Sequence, residues 1–266
     1  LAHVEAVWPA VGPDLPGFTV EVLPSIDSTS SELMRRARAG LMEPVLLAAD
    51  EQTAGRGRLG KGWHSKAGQS LTFSLALPLA PADWSGLSLA VGVSLAESLH
   101  PDVRLKWPND LWLHQRKLGG ILVETASNGT SVGSAATHPR LVVVGVGINI
   151  ARPETAVVSA LDSPDAVLPA MAPAGLSEVL VGLTAGEALA RVAPALVRDI
   201  QAFESQGFTA FAERFARRDA LQGRSVRLSD GTLGTACGVD PQGALLVQTA
   251  QGMQAVTSSE VSVRPC

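Results

Sequence analysis

Apolar positions along this chain fall into short runs of two kinds. Pro44 to Ala49 is nearly continuous and reads as a buried strand, whereas Leu71 to Leu77 alternates and reads as a half-buried one. Leu87, Val91, Leu95 and Leu99 recur four residues apart, which predicts a core helix over 86–99. Val103 to Leu113 and Leu118 to Glu124 read as two strands, interrupted by Pro108-Asn109-Asp110 and by a hairpin-like turn at His114-Gln115-Arg116-Lys117. A further hydrophobic strand, Arg140 to Ile150, carries Gly145-Val146-Gly147-Ile148-Asn149 near its end. Helical signals open at Asp27-Ser28-Thr29-Ser30-Ser31-Glu32, a set of capping residues followed by Leu33, Met34 and Ala37, with Gly40 as a stop. Thr184 to Phe215 is also helical, with Thr184 and Glu187 as a capping box, Pro194 as a kink or boundary and Gly207 as a break.

Between these blocks the pattern is weaker. Residues 1–24 are punctuated by proline and read as an irregular lead-in with one short strand at Phe18 to Leu23. Thr125 to His138 is small and polar, which predicts a mobile loop, and 151–176 is a long connection without a clear period. Past Leu221 the character changes to short β-type runs at 225–228, 233–239, 244–248 and 253–257. Asp230-Gly231, Asp240-Pro241-Gln242-Gly243 and Gln251-Gly252 turns separate them. The expected architecture is therefore α+β, a mixed β-sheet flanked by helices over 1–220 followed by a small all-β domain over 221–266.

Composition narrows the function. With 46% apolar residues, 17% charged residues and a net charge of −4, the chain does not resemble a broadly basic nucleic-acid binder, so any cationic site must be local. The longest apolar run, Leu141 to Ala151, is too short to cross a bilayer, and residues 1–20 lack Lys and Arg, unlike a signal peptide. No membrane association and a cytoplasmic location are the expectations. Cys237 and Cys266 form neither a metal cluster nor a disulfide framework and are read as free thiols.

The local cationic site is Gly55-Arg56-Gly57-Arg58-Leu59-Gly60-Lys61-Gly62, four glycines and three cations in eight residues, between two predicted strands. Its backbone is free to wrap around a ligand, its arginines suit a phosphate or carboxylate, and Trp63 beside them offers an apolar wall. The spacing fails as a Walker A loop because Gly62 follows Lys61, and as a dinucleotide fingerprint because no helix follows. A second group comprises Lys106-Trp107-Pro108-Asn109-Asp110 and Arg116-Lys117-Leu118-Gly119-Gly120-Ile121-Leu122. Asn109 and Asp110 suit ribose or magnesium, and Lys117 suits a reacting oxyanion. Without context, Lys117 and Asp110 read first as turn residues, and the Ser28-Thr29 segment as an ordinary helix cap.

Taken in order and register, these motifs resemble the biotin–protein ligases over roughly residues 20–266. Those that match are Ser28-Thr29, Gln52-x-x-Gly55-Arg56-Gly57-Arg58-x-Gly60, Trp63, Lys106-Trp107-Pro108-Asn109-Asp110, Lys117-Leu118-x-Gly120-Ile121-Leu122-x-Glu124 and Gly145-x-Gly147-x-Asn149. The resemblance implies a class II synthetase-like catalytic domain and a C-terminal SH3-like β-barrel, whose clearest stretch is Gly238 to Leu246. It implies activation of biotin with ATP to biotinyl-5′-AMP, with magnesium, and transfer of biotin to one lysine of a biotin carboxyl carrier domain of acetyl-CoA carboxylase or a related carboxylase.

By the same resemblance, Lys117 and Arg58 are catalytic. Ser28, Thr29, Gln52, Gly55, Arg56, Gly57, Trp63, Lys117, Gly120 and Leu122 bind biotin, while Arg56, Arg58, Lys61, Asn109, Asp110, Lys117 and Asn149 serve ATP. Asp110 is the candidate magnesium ligand. Segment 151–176 should contain the adenine cover. Ser30 stands where the family often has Asn, and Lys61 where Arg is frequent, so one phosphate contact would be less forked. Residues 1–20 cannot form three helices, so a ligase without a DNA-binding repressor domain is expected. The analogy allows a homodimer through the strand at 140–150, of which the residues give no independent sign. Competing readings are a lipoate or octanoate ligase or transferase of the same fold and, outside enzymes, an RNA-binding module built on the Arg-Gly loop.

Overall fold

The computed structural model describes residues 4–126, 139–153, 172–257 and 263–265. The polar run at 127–138, most of the 151–176 connection and Cys266 lie outside these residues. The larger part of the chain begins with α1 (Val7–Val11), β1 (Thr19–Ile26), α2 (Thr29–Arg38), β2 (Val45–Gln52) and β3 (Gly55–Arg56). It continues through β4 (Gly62–Trp63), β5 (Ser70–Leu79), α3 (Leu87–Leu99), β6 (Arg104–Lys106), β7 (Asp110–Leu113), β8 (Arg116–Ala126) and β9 (Arg140–Asn149), and closes with α4 (Ala185–Gln206) and α5 (Ala212–Ala216). Seven strands form one mixed sheet in the order β1-β2-β5-β9-β8-β7-β6, and β1 pairs with β2 in parallel. A separate sheet contains β10 (Ser225–Leu228), β11 (Leu233–Val239), β12 (Leu245–Thr249), β13 (Gly252–Val256) and β14 (Val263–Pro265), in the order β13-β12-β11-β10-β14. Among the described residues β13 and β14 do not pair, so the C-terminal module is an open antiparallel sheet rather than a closed barrel.

Strand periodicity sorts the core into two layers. Leu71, Phe73, Leu75 and Leu77 of β5 and Val142, Val144, Val146 and Ile148 of β9 share one cluster with Leu189, Val192 and Leu196 of α4 and Val91 and Leu95 of α3. On the opposite face, Ala76 and Val143 pack with Leu33, Met34 and Ala37 of α2. Because both faces are covered, β5 is buried along its length apart from Pro78, and the half-buried strand expected there is corrected.

Three other expectations change. The lead-in is helical over 4–14, and Val4, Val7 and Val11 bury one face; their spacing outweighs the prolines, which sit in first turns where no N–H is needed. The segment 103–113 is a hairpin rather than one strand, because β6 turns back on β7 through a cis Trp107–Pro108 bond. Pro194 lies inside α4, which continues on both sides because Leu189, Val192, Leu196 and Val197 are all anchored in the core. The C-terminal module is tied to this frame where the Trp107 indole N–H donates to the Gly243 carbonyl at 3.0 Å. No helix among the described residues is long and apolar enough to cross a membrane.

Candidate active site

The cationic loop folds into a miniature ribbon in which Gly55 pairs with Trp63 and Arg56 with Gly62. The Gly57 N–H donates to the Lys61 carbonyl at 2.7 Å, and Leu59 turns the tip in the left-handed region with φ 55°. This places the loop over the α2 side of the sheet. Between it, the head of α2, the Pro108–Asp110 turn and strands β8 and β9 lies a cavity of ≈ 200 Å³. The reason the sheet leaves this space is compositional: β9 carries Gly145 and Gly147 two residues apart on the cavity face. A side chain at Gly147 would come within 2.4 Å of the Trp63 ring, and one at Gly145 within 2.3 Å of Ser30 Oγ.

One end of the cavity is made of hydroxyls. Ser28 caps α2, its Oγ accepting from the Ser31 N–H at 3.3 Å, and its own N–H donates to Asp27 at 2.7 Å. Arg35 grips the same Asp27 carboxylate through both terminal nitrogens at 2.8 and 2.9 Å. Hydrogen bonding from Arg35, helped by the Ser28 N–H, pulls the Asp27 pKa from 3.8 down to about 2. Gln52 Oε1 accepts from the Thr29 N–H at 2.7 Å and from its hydroxyl at 3.0 Å, locking the turn to β2.

The other end is charged. Lys117 Nζ lies 2.7 Å from Asp110 Oδ1, and Lys106 Nζ lies 3.8 Å from Asp110 Oδ2 and 5.4 Å from the Trp112 ring centre. Lys117 is 47% exposed against 18% for Asp110, so the lysine can swing to a ligand while the carboxylate stays seated. Arg58 donates to Asn109 Oδ1 at 3.3 Å, and Asn109 itself is fixed by a 2.8 Å bond to the Ile121 carbonyl. Burial lowers the Arg58 pKa, opposed by the Asp110 charge, so an incoming anion would compensate a guanidinium that has lost part of its hydration.

Most of the sequence-predicted residues come together here. Ser28, Thr29, Gln52, Arg56, Gly57, Arg58, Lys61, Trp63, Asn109, Asp110, Lys117, Gly120 and Leu122 line the cavity. Gly55 does not; it backs the loop and lines a second, more open recess on its outer side. Asn149 also lies away from the cavity lining, buried at the end of β9 with its amide donating to the Ala174 carbonyl at 3.0 Å. The arrangement suits a brace for the 172–175 segment more than a ligand contact. The Arg56 guanidinium is drawn to the sheet instead of the cavity centre, with Glu124 at 2.8 Å and Ser31 Oγ at 3.3 Å.

Cavity-lining residues absent from the predicted site include Ser30, Phe73, Lys106, Gly145, Val146 and Gly147, and Ser74 lies behind the wall. A sequence signal existed for two of them. Gly145 shares its strand face with Gly147, and Ser74 follows Ser70 and Thr72 as the last of three alternating hydroxyls in an otherwise apolar strand.

The donor set does not fit a resident magnesium ion. Asp110 is the single carboxylate among the lining residues, both its oxygens face lysines, and no cluster of three or more ligating side chains occurs among the described residues.

Comparison with known proteins agrees with this geometry. Residues 22–149 match the Biotin/lipoate A/B protein ligase family and residues 223–264 the Biotin protein ligase C terminal domain. The bifunctional ligase/repressor BirA of Escherichia coli is 35% identical over 261 residues, covering 94% of this chain and 75% of that protein. A biotin–[acetyl-CoA-carboxylase] ligase of Paracoccus denitrificans is 32% identical over 256 residues, with 90% and 98% covered. The biotin protein ligase of Aquifex aeolicus, solved in complex with biotin and ATP, superposes with a TM-score of 0.72 at 26% identity, covering 93% of this chain and 99% of that one. With both family models matched and relatives of 32–35% identity across nearly its whole length, the chain belongs to the biotin protein ligases of the Biotin/lipoate A/B protein ligase family.

Proposed function

We propose that this protein activates biotin with ATP to biotinyl-5′-AMP, releasing pyrophosphate, and passes the biotinyl group to a lysine of the biotin carboxyl carrier domain of an acetyl-CoA carboxylase or related carboxylase. The observation that carries this reading is the polarity of one cavity: hydroxyls and an amide at one end, Trp63 and Leu122 along the side, and Arg58, Lys61, Lys106 and Lys117 at the other. A ureido ring, an apolar body and a carboxylate have that same sequence of chemistries. Lipoate, the acid of the competing reading, has a dithiolane ring without N–H donors and would leave the hydroxyl end unmatched.

In the first step the biotin carboxylate attacks the α-phosphate, two anions that repel. Arg58 and Lys117 supply positive charge where the negative charge converges. Pyrophosphate leaves as the bond from the α-phosphorus to the bridging oxygen breaks. In the second step the acceptor amine attacks the mixed anhydride carbonyl and AMP leaves. Lys117 is mobile enough to follow the phosphate, and orientation of the amine is the main remaining demand.

The test is direct. Purified protein incubated with ATP, magnesium and either biotin or lipoate should release pyrophosphate with biotin alone, and should label a carrier domain with biotin. Lipoate-dependent pyrophosphate without a biotin response would replace this reading by the lipoate one.

A further inference from the structure

Three hydroxyls and one amide meet at the head of α2, and their order has a direction. Gln52 Oε1 accepts the Thr29 hydroxyl at 3.0 Å, and a carbonyl oxygen cannot donate, so the only hydroxyl proton of Thr29 is committed there. Thr29 Oγ1 and Ser74 Oγ are 2.7 Å apart, and that bond must then be donated by Ser74. Ser74 has no second proton for Ser30 Oγ at 2.9 Å, so Ser30 donates in turn. Protons therefore point one way along the chain, from Ser30 through Ser74 and Thr29 to Gln52. Gln52 is held in this orientation by accepting the Thr29 backbone N–H as well, at 2.7 Å.

Ser74 is the link that ligand does not reach. It is 0% exposed, sits in mid-β5 between Leu47 of β2 and Gly145 of β9, and does not line the cavity. Thr29 and Ser30 do line it. With their protons turned inward, both offer a ligand only lone pairs. Ser28 differs: its oxygen already accepts the Ser31 N–H, which leaves its proton for a ligand acceptor. The wall thus presents acceptors beside a donor, the complement of a ring carrying N–H groups next to a carbonyl.

We propose that Ser74 is a specificity-determining positioning residue, which relays the direction set by Gln52 to Ser30, keeps the Ser30 proton turned away from the ligand and so makes the cavity select a ureido ring. This rests on the reading of biotin as the acid activated. It assigns to Ser74 an effect on the acid alone, since the chain lies at the end of the cavity away from Lys117, Arg58 and Asp110.

Two substitutions test it. Ser74→Ala removes the link, while Ser74→Cys keeps most of the volume with a weak donor. Both should raise the KM for biotin by about tenfold, the worth of one neutral hydrogen bond, while the KM for ATP stays within about twofold of wild type. Ser74→Thr, which keeps the hydroxyl, should recover most of the affinity. Pyrophosphate release supplies both constants, and a thermal melt run beside each variant reports folding. An unchanged biotin KM in the Ala and Cys variants overturns the proposal, as does an equal rise for biotin and ATP, or a Cys variant that behaves as wild type if the Ala variant does not fold. Absence of biotin-dependent pyrophosphate in the wild type would instead sink the functional reading, so the two failures are separable.

Discussion

Gly147→Ala offers a strict test of how the cavity is built. The added methyl carbon would lie 2.4, 2.7 and 2.8 Å from three carbons of the Trp63 indole. Comfortable carbon–carbon contact is about 3.5–4.0 Å, so one side must retreat by about 1 Å. The strand cannot, because Gly147 is paired with Thr72 on one side and Gly120 on the other, in the centre of the seven-stranded sheet. The indole must move, and it sits on a two-residue ribbon whose other strand, at Gly55, has no spare room against the Trp63 carbonyl. Overpacking of this kind costs about 1–3 kcal/mol. Because the strained partner is a loop residue, that cost should be felt in ligand binding, as a rise of about 10- to 100-fold in the KM for biotin, with little change in melting temperature.

The assay is pyrophosphate release at varied biotin, run as a double-mutant cycle with Trp63→Ala. Trp63→Ala alone should also weaken binding by loss of the wall, but adding Gly147→Ala to it should cost almost nothing further. If the two losses simply add, or if Gly147→Ala is indistinguishable from wild type, the close approach of indole and strand does not shape the site.

Other expectations follow from single contacts. Lys117→Ala should slow biotin-dependent pyrophosphate release by about 100-fold or more, and near-normal turnover would show that Arg58 or Lys106 is the cation that matters. Trp107→Phe removes the donor to Gly243 and should cost about 1 kcal/mol, lowering the melting temperature by about 2–4 °C. A melt identical to wild type would mean that this bond does not help hold the C-terminal module. The depressed Asp27 pKa predicts stability that is present above its ordinary value of 3.8 and lost as pH falls through about 2. Asp27→Asn should therefore flatten urea-monitored stability between those values, and an unchanged acid limb would remove Arg35 and Asp27 as a stabilising pair.

Much of this protein could be read before folding. The helix at 29–38, its Ser28 cap, the capping box at Thr184, the break at Gly207 and the change to short strands past Leu221 all depend on contacts within a few residues, which local sequence encodes. The Gly-Arg loop and the Lys-Trp-Pro-Asn-Asp turn were also legible, because residue types that bind anions are unusual next to apolar strands.

Tertiary structure decided what those residues face. Local pattern cannot show that β5 is covered on both sides, that Arg56 is drawn to Glu124 from 68 positions away, or that Asn149 turns to Ala174. Nor can it show that Ser74, one of three alternating hydroxyls in β5, closes a hydroxyl chain with Ser30 and Thr29, more than forty positions earlier. Each of these is set by strand order. The sheet places β5 beside β9 and α2 across both, and the polarity of the cavity follows from which side chains that order brings within hydrogen-bonding distance.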